Sequence, residues 1–153
     1  MTNPMVVIND LLTNVFNSIL TIEKQTLKKG ALKELTLSEL HAIEAIGLSY
    51  KRMTEVASLL NISVSTLTVS MNKLVKKGYI ERKYSEKDRR VVFVGLTRKG
   101  IIAYRIHESF HAVMVQVMLK GLSQEECKEL IDSLKRLNSF FVEEYGLSKV
   151  EEG

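Results

Sequence analysis

Residues 53–96 read MTEVASLLNISVSTLTVSMNKLVKKGYIERKYSEKDRRVVFVGL, and the change of periodicity within this stretch decides the fold. Its first half predicts a short helix over Met53–Leu60, followed by a second helix that Ser63 caps and Gly78 closes. The apolar residues of the second helix recur at helical spacing and are expected to be buried: Leu67, Met71 and Leu74. Two short helices joined by a tight turn form a helix-turn-helix.

The second half of the stretch predicts a β-hairpin. Tyr79–Tyr84 and Val91–Leu96 are rich in β-branched and aromatic residues, and the polar tip Ser85–Arg90 separates them. A helix-turn-helix followed by a basic hairpin is a winged helix-turn-helix, so the sequence predicts a mainly α protein with a small β-wing.

Amphipathic helices are predicted before this region. Apolar residues recur at three- and four-residue intervals over Ile8–Leu27, which predicts a long helix that Gly30 ends and that leaves Pro4 outside. A second helix is expected to start at the capping box Thr36–Glu39 and to stop near Gly47.

Two more helices are predicted after the hairpin, over Thr97–Gly121 and from a second capping box at Ser123 through Phe141. We therefore predict a winged helix-turn-helix lobe over residues 36–97 and dimerisation helices over 1–35 and 98–153. The long helices carry wider apolar stripes than one chain easily covers, and this excess favours a homodimer.

Composition narrows the class of protein. The chain has 153 residues, 45% of them apolar and 26% charged, which excludes disordered and low-complexity chains. The single cysteine, Cys127, excludes an internal disulfide and a four-cysteine zinc site, and it suits a reducing cytoplasm. We find no apolar run near the length of a membrane span and no signal-peptide pattern in residues 1–10. A cytoplasmic protein without a membrane partner is expected.

Charge is concentrated in the middle of the chain. Residues 51–100 carry 12 basic and 4 acidic groups, a net charge of +8, whereas residues 1–50 have a net charge of −1 and residues 101–153 of −3. Such a block attracts a polyanion, most commonly nucleic acid. A lipid surface and a merely solvated basic face are the alternatives.

The second helix of the helix-turn-helix offers short polar side chains of the kind that read base edges in the major groove. Among them, Asn72 is suited to pairing with adenine and Val69 to contact with a thymine methyl group. The candidate contacts on this helix are Ser63, Ser65, Thr66, Thr68, Val69, Asn72, Lys73 and Lys76.

The hairpin tip supplies Lys87, Asp88, Arg89 and Arg90 as further DNA contacts. Arg90 suits a narrow, electronegative minor groove, and Asp88 is close enough in sequence to hold an arginine in position. A solvated polar turn is the alternative for the tip alone. A winged-helix protein-interaction module is the alternative for the whole chain, although the outward face of the second helix carries no acidic residue.

Three motifs resemble those of the MarR family of bacterial transcription regulators: LVKKGYIER at 74–82, DRR at 88–90 and LTRKG at 96–100. The resemblance implies a homodimer with intertwined terminal helices, a palindromic double-stranded DNA operator and no enzymatic activity. It also implies that Asp88 and Arg90 form the wing-tip pair, with Arg90 in the minor groove.

Other motifs are similar to the branch of that family that represses fatty-acid synthesis genes: FNSILTIE at 16–23, ELH at 39–41, SEKDRRVV at 85–92 and HESFH at 107–111. This resemblance implies a co-repressor, a long acyl chain on acyl carrier protein, seated in an apolar tunnel. The candidate pocket residues are Phe16, Ile19, Leu20, His41, Ile106, His107 and Phe110. A plain hydrophobic core needs the same residue types.

The histidines leave further hypotheses open. His107 and His111 flank Glu108 in the H-E-x-x-H pattern of zinc peptidases. Glu23, His41, His107 and His111 also resemble ligand positions of a zinc-sensing branch of MarR regulators, which makes a zinc-responsive regulator the main alternative. The simplest interpretation is that these imidazoles bond to other protein groups, so we predict no resident metal and no cofactor.

Overall fold

The computed structural model describes residues 3–147. The predicted domain ranges extend further, and their residues 1–2 and 148–153 lie outside the described part. The chain divides into two compact units, residues 1–39 and 40–153, which we describe separately. The predicted division into a DNA-binding lobe and dimerisation helices stays a prediction.

The first unit consists mainly of helix α1, Pro4–Lys29. The side chain of Asn3 caps it by accepting a hydrogen bond from the backbone N–H of Met5 at 2.9 Å. Pro4 occupies the first turn, so the prediction that left it outside the helix is wrong. The first-turn N–H has no intrahelical partner in any case, and proline is tolerated there for that reason. Gly30 ends the helix, in an extended conformation.

Helix α1 is long and apolar enough to cross a membrane by length and composition, with a mean hydropathy of 1.4 over 18 residues. The sequence analysis did not find this stretch, because polar residues such as Asn14 and Asn17 interrupt its apolar ones. The valine, isoleucine and leucine residues between them nevertheless keep the mean hydropathy of the stretch high. By itself the finding is weak, because core helices of soluble proteins and signal sequences pass the same test.

Helix α2, Leu37–Ile46, begins at the predicted capping box. The hydroxyl of Thr36 accepts from the N–H of Glu39 at 3.1 Å, and the Glu39 carboxylate accepts from the N–H of Thr36 at 3.4 Å. The helix stops before Gly47, which has a positive φ of 64°.

The predicted helix-turn-helix is present in the second unit, as α3, Met53–Leu60, and α4, Val64–Lys77. Asn61 takes the left-handed conformation at the end of α3, and its N–H bonds to the last carbonyl groups of that helix. Ser63 caps α4, and Gly78 closes it at a φ of 84°.

The hairpin strands β2, Ile80–Tyr84, and β3, Val92–Leu96, pair antiparallel with Ile80 opposite Leu96 and Tyr84 opposite Val92. A further strand, β1, Lys51–Arg52, pairs with the other edge of β3, so the sheet order is β1-β3-β2. The sequence analysis missed β1, because two residues show no periodicity and only tertiary pairing defines the strand.

Helices α5, Arg98–Leu119, and α6, Gln124–Tyr145, complete the fold. The hydroxyl of Thr97 caps α5, and Ser123 forms the predicted capping box with Glu126 at the start of α6. Helix α6 continues to Tyr145, one turn past the predicted Phe141, and Gly146 caps it in the left-handed conformation.

The core of the second unit lies where α2, α3 and α4 meet the sheet. Its largest side chains with less than 2% of their surface exposed are Ile43, Ile46, Val56, Leu67, Met71, Leu74 and Val94. Gly100 brings the start of α5 against the backbone of Tyr79, where a Cβ would lie 2.0 Å from the carbonyl oxygen. The predicted fold class, mainly α with a small β-wing, is confirmed.

Candidate nucleic-acid interface

Helix α4 exposes the face that the sequence predicts. Leu67, Met71 and Leu74 are completely buried, and the side of α4 opposite them faces solvent. Val69 is 57% exposed, although it is apolar. Thr68 is half-buried, and the other predicted contacts on α4 are exposed: Ser63, Ser65, Thr66, Val69, Asn72, Lys73 and Lys76.

Several hydroxyl groups on this face already have partners. The hydroxyl of Ser63 accepts from the N–H of Thr66 at 3.1 Å and lies 2.8 Å from the Thr66 hydroxyl. The hydroxyl of Thr68 donates to the carbonyl oxygen of Val64 at 2.8 Å. Ser63 therefore stabilises the start of α4, whatever further contact it makes.

The wing tip contains the predicted pair. The Arg90 guanidinium donates from Nε to Oδ1 of Asp88 at 3.1 Å and from Nη2 to Oδ2 at 3.2 Å. The N–H of Arg90 also donates to Oδ1 at 3.0 Å. These bonds lower the pKa of Asp88, the side-chain bonds first and the backbone bond second. The side chain of Arg90 is 92% exposed, and Lys87 and Arg89 beside it are exposed too.

A cleft of about 520 Å³ lies between α4 and the wing. Arg52, Arg82 and Arg90 contribute guanidinium groups to it, and the residues that line it in the described part of the chain include no acid. Thr68 and Asn72 line it from α4. Such a cleft attracts phosphate groups and the acceptor atoms of bases.

Sequence reasoning missed Arg52 and Arg82 as cleft residues. Both belong to the basic block, which was a signal, but their placement depends on the pairing of β1 and β2 with β3. Arg82 also contacts the helix directly, because its Nη2 donates to Oδ1 of Asn72 at 2.5 Å.

The predicted effector-pocket residues fall in both units. On α1, Phe16 is exposed, whereas Ile19 and Leu20 are half-buried. In the second unit, the ring centroid of His107 lies 6.3 Å from that of His41 and 6.3 Å from that of Phe110. Ile106 is 41% exposed on α5.

His107 and His111 form a polar cluster with Glu44, which the sequence analysis did not select. Nε2 of the buried His107 lies 3.1 Å from Oε2 of Glu44 and 2.9 Å from Nε2 of His111. The hydrogen bond with His107 is the main cause of a lowered pKa at Glu44, and it outweighs the opposing effect of burial. A small cavity of about 130 Å³ adjoins these side chains.

Two further residues of the peptidase and zinc hypotheses are Glu108, on α5 in the second unit, and Glu23, on α1 in the first. Glu108, the acid of the H-E-x-x-H pattern, accepts from Arg105 at 2.9 Å. Glu23 is a buried residue of α1 in the first unit.

Comparison with known proteins identifies the family. The model of the family described as transcriptional regulator SarA/Rot matches residues 26–106. FabT of Streptococcus pneumoniae, solved in complex with DNA, is 38% identical with a TM-score of 0.86, and the similarity covers 91% of this chain and 98% of that one.

Two curated relatives match over shorter stretches. The HTH-type transcriptional regulator BilQ of Clostridium symbiosum is 39% identical over 69 residues, 44% of this chain and 47% of BilQ. The HTH-type transcriptional regulator PchR of Bacillus subtilis is 28% identical over 108 residues, 67% of this chain and 63% of PchR. The chain thus spans about half to two thirds of the length of these relatives.

The family and both curated relatives are described as transcriptional regulators, which confirms the prediction that the chain is not an enzyme. The family match covers more than half of the chain, and the similarity to FabT extends along nearly all of it. This protein therefore belongs to the SarA/Rot family of transcriptional regulators and has the MarR-type winged-helix fold that its motifs predicted.

Proposed function

We propose that the protein is a cytoplasmic, sequence-specific DNA-binding regulator that represses transcription as a homodimer. The observation that carries the proposal is the cleft between α4 and the wing, which three arginines line, among them the exposed Arg90 that Asp88 pairs. In this proposal α4 lies in the major groove and the wing reaches the flanking minor groove. FabT, the similar protein solved with DNA, supports it.

DNA binding is tested by a gel shift with random genomic fragments at low salt, followed by selection of sites from a randomised library. We expect binding at low salt and a palindromic site with half-sites about 10–10.5 base pairs apart, centre to centre. Failure to bind any duplex at low salt would contradict the proposal and favour an interaction module instead.

The homodimer is supported by the apolar surface of α6. Within the described residues this helix buries none of its side chains, and Leu134 is 52% exposed. Exposed apolar side chains at helical spacing form one stripe of α6: Leu130, Ile131, Leu134, Leu137 and Phe141. A monomer rarely leaves so much contiguous apolar surface in water.

Sedimentation equilibrium tests the homodimer. Leu134→Asp places a charge within this stripe and is expected to yield monomers. Lys135→Asp, at the neighbouring exposed position, is the matched control and should remain dimeric. A monomeric wild-type protein at micromolar concentration would contradict the homodimer.

For the effector, we propose a long acyl chain carried by acyl carrier protein, and fatty-acid synthesis genes as the targets. The motifs shared with the fatty-acid branch and the similarity to FabT support this choice. The test measures operator affinity with acyl carrier protein bearing a long chain, a short chain or none. A change with the long chain alone is expected, and equal affinity in all three would contradict the acyl effector.

A zinc-responsive regulator is the second candidate function, because three potential ligand atoms converge in the second unit. Nε2 of His107 and Nε2 of His111 are 2.9 Å apart, and a carboxylate oxygen of Glu44 is 3.1 Å from the former. Two neutral imidazole nitrogens so close must share a proton or a cation, since facing lone pairs repel. Imidazole and carboxylate groups are both zinc ligands.

Metal analysis of protein purified without a His-tag or chelator tests this candidate. This second candidate requires about one zinc per subunit, which His107→Gln should remove and Glu108→Gln should not. Less than about 0.2 zinc per subunit in the wild type would contradict zinc response.

A further inference from the structure

The hydrogen bond between Arg82 and Asn72 connects the wing to the helix that is proposed to read DNA. Nη2 of Arg82, on β2, donates to Oδ1 of Asn72, in the second half of α4, at 2.5 Å. A guanidinium has donors only, so the amide atom that faces it has to be the oxygen. The orientation of the Asn72 carboxamide is therefore fixed by chemistry, with its NH₂ group directed away from Arg82.

Arg82 is held for this contact by the sheet. Its side chain is half-buried, so part of its conformational entropy is lost before any DNA binds. The neighbouring Glu81 accepts a hydrogen bond from the hydroxyl of Tyr50. Successive strand residues point to opposite faces of a sheet, and the carboxylate of Glu81 therefore does not compete with Asn72 for the guanidinium.

The contact changes what Asn72 offers to a base. Asparagine reads adenine through two bonds, in which Oδ1 accepts from N6 and the NH₂ group donates to N7. Here a charge-assisted bond occupies one of the two lone pairs of Oδ1, and the positive guanidinium beside it opposes the approach of a second donor such as the N6 amino group of adenine. The bond also polarises the amide and strengthens its N–H donors. Together with the guanidinium, the side chain then presents donors to the cleft that Thr68, Asn72 and Arg82 line.

On this geometry, and resting on the proposed function, we propose that Arg82 is a specificity-determining positioning residue. By holding Oδ1 of Asn72, it converts that side chain from a reader of adenine into a reader of guanine. Guanine presents two acceptors in the major groove, N7 and O6, whereas adenine presents the N6 donor beside N7.

The test is selection of binding sites from a randomised palindromic library with the full-length chain, repeated for variants. Asn72→Ala identifies the base pair that Asn72 reads, as the position at which preference is lost. The wild type is expected to select guanine there. Arg82→Met keeps the packed stem and frees Oδ1, and it is expected to move the ratio of adenine to guanine about tenfold towards adenine.

Arg52→Met is the matched control, because Arg52 lines the same cleft but lies on β1. It should weaken binding to all sequences and leave the base preference unchanged. The same uniform loss in Arg82→Met, with guanine still selected, would show that Arg82 is only a phosphate contact and would overturn the proposal. Selection of adenine by the wild type at the Asn72 position would overturn it as well.

If Arg82→Met fails to fold, a second variant still tests whether Asn72 reads guanine. Asn72→Asp retains a partner for Arg82 but has no donor for a base, so the guanine preference should disappear. Guanine preference that survives in Asn72→Asp contradicts the proposal. Wild-type protein that binds no DNA at all would instead refute the proposed function, and the two failures are thus distinguishable.

Discussion

Asp88 and Arg90 are joined at the wing tip by two parallel side-chain hydrogen bonds, of 3.1 and 3.2 Å, while the Arg90 side chain is 92% exposed. An exposed ion pair contributes little to stability, because water and salt screen the attraction. The two bonds instead fix the direction of a long cationic side chain at the end of a hairpin. The expected effect of this pair is therefore on DNA binding.

Arg90→Ala should weaken operator binding about tenfold, or about 1.4 kcal/mol. The variant loses one cationic contact, so the slope of log affinity against log salt concentration should fall by about 0.9 for each contact removed. Fluorescence anisotropy at several salt concentrations measures both quantities. Arg105→Ala, which removes an arginine paired on α5, is the control. Operator affinity unchanged in Arg90→Ala at physiological salt would refute the wing assignment.

Gly100→Ala should destabilise the fold by about 3 kcal/mol, because the added methyl group overlaps the carbonyl oxygen of Tyr79, 2.0 Å from its ideal position. Urea denaturation measures the free energy of unfolding. Gly121→Ala is the matched control, since a Cβ there meets no atom within 4 Å, and it should change stability by less than about 0.5 kcal/mol. Equal stability of the two variants would mean that α5 does not approach Tyr79 so closely.

Ser63→Ala should lower the free energy of unfolding by about 1 kcal/mol, because the N–H of Thr66 loses the hydroxyl that caps α4. Ser63→Gly should lower the free energy of unfolding by only about 0.3 kcal/mol, because glycine leaves the N–H groups at the helix end open to water. Thermal unfolding of the DNA-free protein measures both. Identical stability of both variants and the wild type would show that Ser63 does not stabilise α4, which would leave DNA contact as its only proposed role.

Acid should weaken the contribution that Glu44 makes to the stability of the metal-free protein. Its folded-state pKa lies below the ordinary 4.5, mainly because of the hydrogen bond with His107. Folding is therefore favoured by ionised Glu44 above about pH 4.5, and this contribution is lost as the pH falls through the lowered pKa. The difference in Tm between the wild type and Glu44→Gln should stay constant from about pH 6 to 5 and should shrink as the pH falls further. A difference that persists undiminished at about pH 3 would contradict this prediction.

The helix-turn-helix and the hairpin could be predicted from the sequence because their signals are local. Ser63 and Gly78 mark the ends of α4 through their own chemistry, and Leu67, Met71 and Leu74 repeat at the helical period. The charge of residues 51–100 likewise needs no structure to indicate a polyanionic partner. These features depend on residues close together in the chain.

The contacts that give the structure its chemistry join residues of different secondary-structure elements. Arg82 bonds to Asn72 across the junction of wing and helix, Lys51–Arg52 becomes a strand by pairing with β3, and Glu44 bonds to His107 from 63 positions away. No periodicity encodes such pairs, because each depends on how separate elements pack. The sequence by itself thus determined the winged helix, its basic character and the exposed face of α4. Only the tertiary structure decided which side chains share the cleft, since strand register and helix packing place them there.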